Sequence, residues 1–356
     1  MNLKEYGLNE FFEEQFARWE GSGLVPGRVL QEAGRTYGVA TEKGVISAVV
    51  SGHFQYIAAG AADYPAVGDW VLLRGEGDLL MVDRVLERKS VFSRRAAGRR
   101  CDEQVIASNI DIMFIVAALD GGRNFTVRGL ERYIVMVRDG GARPVIVLNK
   151  SDLCTDREDF RIQAESVAGD IPVIMASALT GEGMEELGAF LPQGATGAFT
   201  GPSGAGKSSL INALLGNSEL RTGELRENDM RGRHTTTNRE LYTLSSGAMV
   251  IDTPGLRELR PFGDTDSLDL AFTEIAEASL RCRYSDCTHT GEPGCAVQEM
   301  VASGEIPFER YQNYITIRNE MEAFDSLKSE KGRRERKARE KELSKIIKNF
   351  NRDHKK

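Results

Sequence analysis

The spacing of apolar residues divides the chain into segments of different structure. In residues 8–19, LNEFFEEQFARW, apolar side chains recur at helical spacing, which predicts a short amphipathic helix within residues 1–22. Residues 23–97 contain short apolar runs, such as GVISAVVSG and GDWVLLR, separated by Gly and Asp. That pattern is typical of a small all-β barrel, and its size fits a five-stranded barrel of the oligonucleotide-binding type.

The pattern changes after the barrel, and from Asn109 apolar strands alternate with helices. IDIMFIVAAL and PVIVLNK are typical of buried strands, and TVRGLERYIVMVRDGG is typical of a helix that ends at glycine. The segment LYTLSSGAMVIDTPG predicts two strands joined at SSG. Alternation of this kind predicts a doubly wound α/β domain over residues 98–262.

The remaining residues predict a smaller helical module and a tail. We place the module at residues 263–327, with helices over residues 268–279 and around residues 308–324. Residues 328–356 contain 13 Lys or Arg against 5 Asp or Glu, a local charge of +8 in a chain whose net charge is −7. The tail favours binding to an anionic polymer as much as it favours a solvated helix of mixed charge.

A glycine-rich segment, GPSGAGKSS, lies between a predicted strand and a predicted helix. It matches Gly-x-x-x-x-Gly-Lys-Ser, in which glycines let backbone N–H groups close around phosphates at the positive end of a helix. Lys207 is expected to reach the β- and γ-phosphates and to assist catalysis, and Ser208 is expected to bind Mg²⁺. The predicted phosphate-binding residues are Gly201, Pro202, Ser203, Gly204, Ala205, Gly206, Lys207, Ser208 and Ser209.

Two strand ends supply the expected base-binding residues. In NKSD, Asp152 can accept hydrogen bonds from the N1–H and the exocyclic amine of guanine, a donor pair that adenine lacks. We expect the stem of Lys150 to stack on the base, and the backbone N–H of Ala178, in MASA, to meet the guanine O6. The predicted base-binding residues are Asn149, Lys150, Ser151, Asp152, Ser177 and Ala178.

Two further segments are expected to meet the γ-phosphate. In DTPG, Asp252 suits an Mg²⁺ ligand, and Gly255 can offer its N–H to the γ-phosphate. The polar segment RENDMRGRHTTTNRE lacks periodicity and suits a loop that the γ-phosphate and Mg²⁺ order. One of its consecutive threonines is expected to bind Mg²⁺, with Thr236 favoured over Thr235 and Thr237.

The residue that follows the DTPG glycine bears on hydrolysis. It is Leu256, whose alkyl side chain cannot orient water, so we expect slow intrinsic hydrolysis and a partner that supplies the missing group. His234 lies beside the threonines of the preceding segment. We favour a catalytic role in orienting water over a role as a loop histidine that contacts solvent or RNA.

The order of the motifs is base loops, phosphate loop and then DTPG. Moving the front of a guanine-nucleotide-binding domain to its back gives this order, and a fold tolerates such a change because chain ends commonly lie close together. The sequence therefore predicts a circularly permuted GTPase domain. DTPG then lies directly upstream of the helical module, so nucleotide state is expected to bias the position of that module.

A metal site is predicted within the helical module. Cys282, Cys287, His289 and Cys295 offer three thiolates and one imidazole, the donor set of a closed tetrahedral Zn²⁺ site. The segment RYSDCTHTGEPGC contains little apolar material, so we expect one structural zinc per chain to hold it together. The alternative is that the three thiols are free.

Composition adds two expectations. The longest apolar run, IMFIVAAL, is far shorter than the roughly 18 residues of a membrane helix, and the N-terminus lacks an apolar signal core, so we expect a cytoplasmic protein without membrane contact. Basic residues that follow the barrel favour a nucleic-acid-binding face over a solvated linker. They are Arg88, Lys89, Arg94, Arg95, Arg99 and Arg100.

On these motifs the chain resembles the RsgA/YjeQ family of circularly permuted GTPases, which act on the small ribosomal subunit. The resemblance covers residues 23–324, with the barrel, NKSD, GPSGAGKSS, RHTTT, DTPG and the zinc module. It implies GTP hydrolysis to GDP and phosphate, stimulated by the small subunit and its rRNA, and a role in late maturation of that subunit. Nothing in the sequence demands a dimer, so we expect a monomer.

Two other functions stay open at this point. A partner-regulated signalling GTPase without an RNA role needs the same nucleotide motifs, although the barrel and the basic segments favour RNA. A GTP-sensing RNA scaffold that does not hydrolyse GTP finds its main support in Leu256.

Overall fold

The structure, a computed structural model, describes residues 2–58, 60–76, 79–95, 103–121, 124–216, 239–252 and 265–328. The chain divides into two compact units. One unit contains the N-terminal segment, a β-barrel and an α/β domain, and the other contains the C-terminal helices. The predicted multidomain fold class is therefore confirmed.

The barrel is built from β1 (Val25–Ala33), β2 (Thr36–Thr41), β3 (Gly44–Val50), β4 (Trp70–Glu76) and β5 (Leu79–Val85). It closes because β1 pairs with both β2 and β4, while the sheet runs from β2 through β3 and β5 to β4. Alternate side chains point inwards, and Val29, Val39, Val71 and Val82 are completely buried. The predicted barrel forms from the short apolar runs that suggested it.

The N-terminal helix packs on the outer wall of the barrel. Helix α1 (Glu10–Ala17) places Phe12 and Phe16 against Trp70, with ring centroids 5.5 and 5.8 Å apart. Trp70 and Leu72 alternate along β4 with residues of the barrel core, so they face outwards. The amphipathic helix therefore covers an apolar patch on this wall of the barrel.

Two elements of the first unit are absent from the sequence prediction. Helix α2 (Gly52–Ile57) begins where Ser51 Oγ accepts a hydrogen bond from the backbone N–H of Phe54 at 3.0 Å. The second element is a hairpin of β6 (Val91–Arg95) and β7 (Glu103–Ser108). In the sequence, residues 96–102 separate its two strands, whereas the recognisable signal of a hairpin is a short turn between two apolar runs.

Arg88, the first residue of the predicted basic face, is committed to the fold. Its guanidinium donates to both carboxylate oxygens of Asp69 at 2.8 and 2.7 Å, and to the carbonyl oxygens of Ala62 and Tyr64 at 2.9 Å. Because Asp69 is completely buried, Arg88 neutralises an internal charge, and the nucleic-acid role is wrong for this residue. Lys89 remains exposed. The side chains of Arg94 and Arg95 lie outside the part of the chain that the structure describes, as do Arg99 and Arg100.

The α/β domain contains β8 (Ile112–Ala118), β9 (Arg143–Asn149), β10 (Val173–Met175), β11 (Thr196–Thr200), β12 (Arg239–Thr243) and β13 (Met249–Asp252). Its helices are α3 (Val127–Asp139), α4 (Arg157–Ala168), α5 (Met184–Ala189) and α6 (Lys207–Leu215). The order is β10-β9-β8-β11-β13-β12, with parallel pairing from β10 to β13 and an antiparallel β12. The carboxyl ends of the parallel strands consequently share one edge.

Strand β12 also joins the α/β domain to the barrel. It pairs antiparallel with β1, with Gln31 opposite Glu240 and Glu32 opposite Arg239. The barrel and the α/β domain therefore share one 11-stranded sheet. The boundary predicted between residues 97 and 98 stays a prediction, because hydrogen-bonded strands connect the two parts.

The second unit contains α7 (Thr265–Ala271), α8 (Thr273–Ser279), α9 (Ala296–Ser303) and α10 (Phe308–Lys328). The single helix expected over residues 268–279 is wrong. Phe272 interrupts it with non-helical backbone angles (φ −126°, ψ 55°), and its buried ring packs 5.5 Å from that of Tyr314. Helix α9 is also absent from the sequence prediction. Among the described residues, no helix is long and apolar enough to cross a bilayer.

Candidate nucleotide and metal sites

The NKSD segment begins at the carboxyl end of β9. Asn149 is buried, and its Nδ2 donates to the carbonyl oxygen of Ala205 at 2.8 Å. Its Oδ1 accepts from the backbone N–H of Ala178 at 3.4 Å. Asn149 therefore connects the segment to both GPSGAGKSS and MASA, as a residue that orients these loops should.

Asp152 is held by the second predicted base loop. Ser177 Oγ donates to Asp152 Oδ1 at 2.5 Å, and the backbone N–H of Ser151 donates to the carbonyl oxygen of Ala176 at 3.1 Å. Ser151 Oγ also donates to Glu182 Oε2 at 2.7 Å. The bond from Ser177 restrains the carboxylate that the sequence assigns to guanine recognition, and the two bonds of Ser151 hold the neighbouring backbone in place.

GPSGAGKSS forms a tight loop between β11 and α6. Gly201 and Gly206 have positive φ angles of 134° and 93°. A Cβ atom at Gly201 would lie 2.2 Å from the carbonyl oxygen of Val116, and one at Gly206 would lie 2.2 Å from Asn149 Nδ2. Glycine is therefore required at both positions by backbone angle and by space.

Lys207, Ser208 and Ser209 form the first turn of α6. Lys207 is 9% exposed, and its Nζ donates to the carbonyl oxygens of Gly201 and Pro202 at 2.9 and 2.6 Å. The ammonium is thus held across the loop, while backbone N–H groups at the start of the helix remain directed towards the same edge. Ser208 is partly exposed and Ser209 is exposed.

Asp252 ends β13 and is partly exposed, at the same sheet edge as the phosphate loop. The rest of the predicted γ-phosphate region lies outside the described residues. That region includes His234, Thr235, Thr236, Thr237, Gly255 and Leu256.

The Cys and His residues of the second unit come together in space. One ligand atom from each of Cys282, Cys287, His289 and Cys295 lies within 4.8 Å of the other three. His289 Nδ1 is 3.6 Å from Cys282 Sγ and 3.5 Å from Cys295 Sγ, and the two sulfurs are 3.9 Å apart. Tetrahedral zinc requires roughly 3.5–3.8 Å between ligand atoms, so this cluster fits a metal ion.

The surrounding residues hold the ligand segments in place. The carbonyl oxygen of His289 accepts from Tyr311 Oη at 2.6 Å and from Gln298 Nε2 at 2.9 Å. The carboxylate of Glu292 accepts from the backbone N–H groups of Thr288 and Thr290, both at 2.9 Å. Hydrogen bonds from Thr288 and from backbone N–H groups lower the pKa of Glu292 to about 2, so this carboxylate stays charged.

Three residues of the donor set have shifted pKa values. Burial lowers the pKa of His289, assisted by the nearby Arg318, which favours the neutral imidazole that binds metals. Burial and the neighbouring thiols raise the pKa of Cys287 to about 12. Burial opposes ionisation of Cys282 as well, but backbone hydrogen bonds from Val297 and Ala296 outweigh it and lower the pKa of that thiol. A bound dication would favour the thiolate form of its cysteine ligands.

Comparison with known proteins places the chain among its relatives. A sequence profile described as RsgA GTPase matches residues 85–261. The small ribosomal subunit biogenesis GTPase RsgA 2 of Lactiplantibacillus plantarum is 44% identical over 92% of this chain and 92% of its own length. The chain belongs to the RsgA GTPase family.

Solved structures of similar fold agree with this RsgA GTPase assignment. YjeQ from Thermotoga maritima superposes with a TM-score of 0.63 and 28% identity, over 84% of this chain and 98% of that one. YloQ, described as a circularly permuted GTPase, gives a TM-score of 0.58 and 25% identity, over 84% and 96%. The permuted motif order predicted from the sequence is thus confirmed.

Two residues of this RsgA GTPase that no motif indicated also meet the base-recognition loop. Asp120, just beyond β8, lies 2.6 Å from Lys150 Nζ through its Oδ2. Glu182 accepts hydrogen bonds from Ser151 Oγ and from Arg157 Nη1, the second at 2.9 Å. A charged residue directly after the apolar run of β8 is the signal that could have identified Asp120, because neighbouring parallel strands end at the same edge.

Proposed function

We propose that this protein hydrolyses GTP when bound to the small ribosomal subunit and assists the late maturation of that subunit. The observation that carries the proposal is the meeting of NKSD with GPSGAGKSS at one sheet edge in an RsgA GTPase. The L. plantarum relative is named for small-subunit biogenesis, which supports the same partner here. The protein would then act in the cytoplasm, as a monomer that contacts rRNA.

The base site selects guanine in this proposal. Asp152, fixed by Ser177, accepts two hydrogen bonds from the guanine edge, and the stem of Lys150 covers one face of the ring. Asn149 keeps the base loop attached to the phosphate loop, and the N–H of Ala178 meets the guanine O6. The segment therefore rejects adenine, which would leave the Asp152 carboxylate unpaired.

The phosphate site combines the loop with a cation. Backbone N–H groups of residues 203–209 surround the phosphates, and Lys207 neutralises the β- and γ-phosphates. Mg²⁺, when bound, would balance charge that develops between these phosphates. Ser208, Thr236 and Asp252 are the residues that would hold it.

Hydrolysis depends on the partner in this proposal. Leu256 cannot orient the attacking water, whereas His234 carries ring nitrogens suited to that task, and the N–H of Gly255 meets the γ-phosphate. Slow turnover in isolation and faster turnover on the subunit follow from this arrangement.

The metal cluster stabilises an RNA-binding surface. Zn²⁺ held by three thiolates and His289 leaves no open ligand position, so its role is structural. Arg281 and Arg283, which flank Cys282, are exposed and available to phosphates.

GTP turnover tests the function directly. We would measure it with purified protein alone and with added small subunits, large subunits or naked RNA. Strong stimulation by small subunits alone is expected. Stimulation by none of these additions would contradict the proposal and would favour a signalling GTPase with a protein partner.

The metal can be tested separately by elemental analysis. We expect one zinc per chain in the wild-type protein and substantial loss in Cys282→Ser, while Cys154→Ser, which changes a thiol outside the cluster, retains the metal. Metal-free wild-type protein with a folded C-terminal unit would contradict a structural zinc.

A further inference from the structure

Asp120 lies outside every recognised nucleotide motif, yet its carboxylate faces the lysine of NKSD. Asp120 Oδ2 is 2.6 Å from Lys150 Nζ, and the two side chains are 19% and 31% exposed, respectively. The pair is therefore close enough for a charge-assisted hydrogen bond and sufficiently shielded from water for that bond to restrict the lysine.

The register of the sheet creates this contact. Strands β8 and β9 are parallel with Ala118 opposite Asn149, and the backbone N–H of Leu119 donates to the carbonyl oxygen of Asn149 at 2.8 Å. Lys150 directly follows Asn149, and Asp120 lies two residues beyond Ala118, so both leave the same edge of the sheet. Their proximity is thus fixed by backbone hydrogen bonds.

The backbone of Lys150 is constrained, but its side chain has several rotatable bonds. Lys150 has a positive φ of 61°, the left-handed conformation that non-glycine residues adopt uncommonly. The flexible stem of a lysine loses rotamer entropy when a ligand fixes it. A partner that holds the ammonium beforehand reduces that loss on binding.

Asp120 also lies close to the phosphate loop. Asn124 Nδ2 is 3.5 Å from Asp120 Oδ2, and a Cβ atom placed on Gly204 would lie 3.8 Å from the same Nδ2. On the other side, Lys150 Cε lies 4.0 Å from the position of a Cβ on Gly206. The ion pair therefore lies beside the loop that receives the phosphates.

We propose that Asp120 is a positioning residue that holds the Lys150 ammonium so that the lysine stem lies along the face of the bound base. The role rests on the proposed guanine site. Asp120 acts through Lys150 on nucleotide affinity and not on the cleavage of the phosphate bond. It should affect GDP and GTP equally, because the base is common to both.

The test compares GDP and IDP binding to full-length Asp120→Ala, Lys150→Ala and the double variant by calorimetry. Asp120→Ala should weaken GDP binding about fivefold, and the same change should have little further effect in the Lys150→Ala background. IDP lacks the exocyclic amine, but its ring face is the same. The loss for IDP should therefore equal the loss for GDP.

Asp170→Ala is the matched control. It removes an aspartate whose Oδ1 lies 2.7 Å from Arg138 Nη2, just before the amino end of β10 and so away from the nucleotide edge. GDP affinity should be unchanged in this variant. Asp120→Asn, which keeps an acceptor oxygen but loses the charge, should bind GDP with an affinity between those of wild type and Asp120→Ala.

Three results would overturn the role of Asp120. The first is a GDP affinity of Asp120→Ala within twofold of wild type. The second is that the effects of Asp120→Ala and Lys150→Ala on GDP affinity are additive. The third is an unequal loss of affinity for GDP and for IDP, which would indicate a general change in the loop. Wild-type affinity in Lys150→Ala would instead overturn the proposed guanine site, and this role with it.

Discussion

Strands β11 and β13 carry, at their carboxyl ends, segments that we propose bind nucleotide, and they meet the barrel at their amino ends. At the carboxyl edge, Asp120 and Lys150 form an ion pair that keeps 19% and 31% of the side-chain surfaces exposed, respectively. At the amino end, the fully enclosed guanidinium of Arg28, from barrel strand β1, contacts Thr196 and Met249. Both ends use charged side chains, but only one end leaves them within reach of a ligand.

Arg28 is bonded almost entirely to neutral groups. Its Nη2 donates to Thr196 Oγ1 at 2.8 Å, and its other bonds include the carbonyl oxygens of Tyr6, Gly68 and Asn109. Burial lowers the pKa of its guanidinium to about 10, although nearby carboxylates oppose the shift, so it stays charged at pH 7. One cation thereby joins the N-terminal segment, the barrel and two strands of the α/β domain.

The two ends differ in the free-energy cost of exchanging one partner of a charged side chain for another. A charge near water can exchange one partner for another with a small loss of solvation, whereas a fully buried charge whose partners are removed keeps its whole desolvation cost. The nucleotide edge is therefore suited to reversible binding. The barrel joint is suited to holding β1 permanently beside β12, β11 and β13.

Asp152→Asn should produce the largest effect, confined to the nucleotide edge. An amide donates where the guanine amine also donates, so affinity for GDP should fall about 100-fold or more, while affinity for XDP should rise. Calorimetric titration with both nucleotides measures this. The exposed Asp156→Asn is the control, and unchanged GDP affinity in Asp152→Asn would show that the carboxylate does not recognise the base.

Arg28→Met should have the largest effect on stability. It leaves several buried acceptors without their donor, so the free energy of unfolding in urea should fall by about 3 kcal/mol. GDP affinity of the folded variant should stay within about twofold of wild type. Arg35→Met, at an exposed position, serves as the control. A loss of stability no greater than that of Arg35→Met would remove the proposed contrast between the two ends.

The ion pair between Glu32 and Arg239 should have an intermediate effect. Its atoms are 2.7 Å apart and the side chains are 16% and 10% exposed, respectively. A double-mutant cycle of Glu32→Gln and Arg239→Met should give a coupling energy of about 1–2 kcal/mol in urea unfolding. Additive losses would mean that this ion pair does not contribute to the joint between β1 and β12.

The pair of Arg138 and Asp170, in which the carboxylate is exposed, should contribute least. Asp170 is 87% exposed, so solvent screens its 2.7 Å contact with Arg138. Asp170→Asn should change the free energy of unfolding by about 0.5 kcal/mol or less. A loss as large as that of Arg28→Met would show that burial does not rank these interactions.

Much of the architecture could be predicted from local pattern. The unbroken apolar run of β8 indicated a strand buried on both faces, and GPSGAGKSS indicated a strand, a loop and a helix in sequence. The Cys and His spacing likewise predicted a cluster that the fold brings together. In each case the residues that make the feature are close in sequence, or their types are rare enough to identify it.

Other features could not be predicted because their causes are distant in sequence. Phe272 interrupts the expected helix, and its ring packs on that of Tyr314, 42 positions later. Arg88 forms an ion pair with the buried Asp69. Helical or basic patterns carry no information about such partners, since tertiary packing overrides local preference.

The sequence by itself determined the barrel, the permuted order of nucleotide motifs and the Cys and His residues that could hold a metal, because those depend on short-range periodicity and on chemically distinctive residues. Only the tertiary structure decided which charges became permanent internal contacts and which remained at the nucleotide edge. Arg28 and Lys150 are both basic residues in or beside β-strands, yet sheet register encloses one and leaves the other partly open. The burial of a charged side chain depends on the assembled sheet. It sets the free-energy cost of replacing the partner of that charge with a ligand.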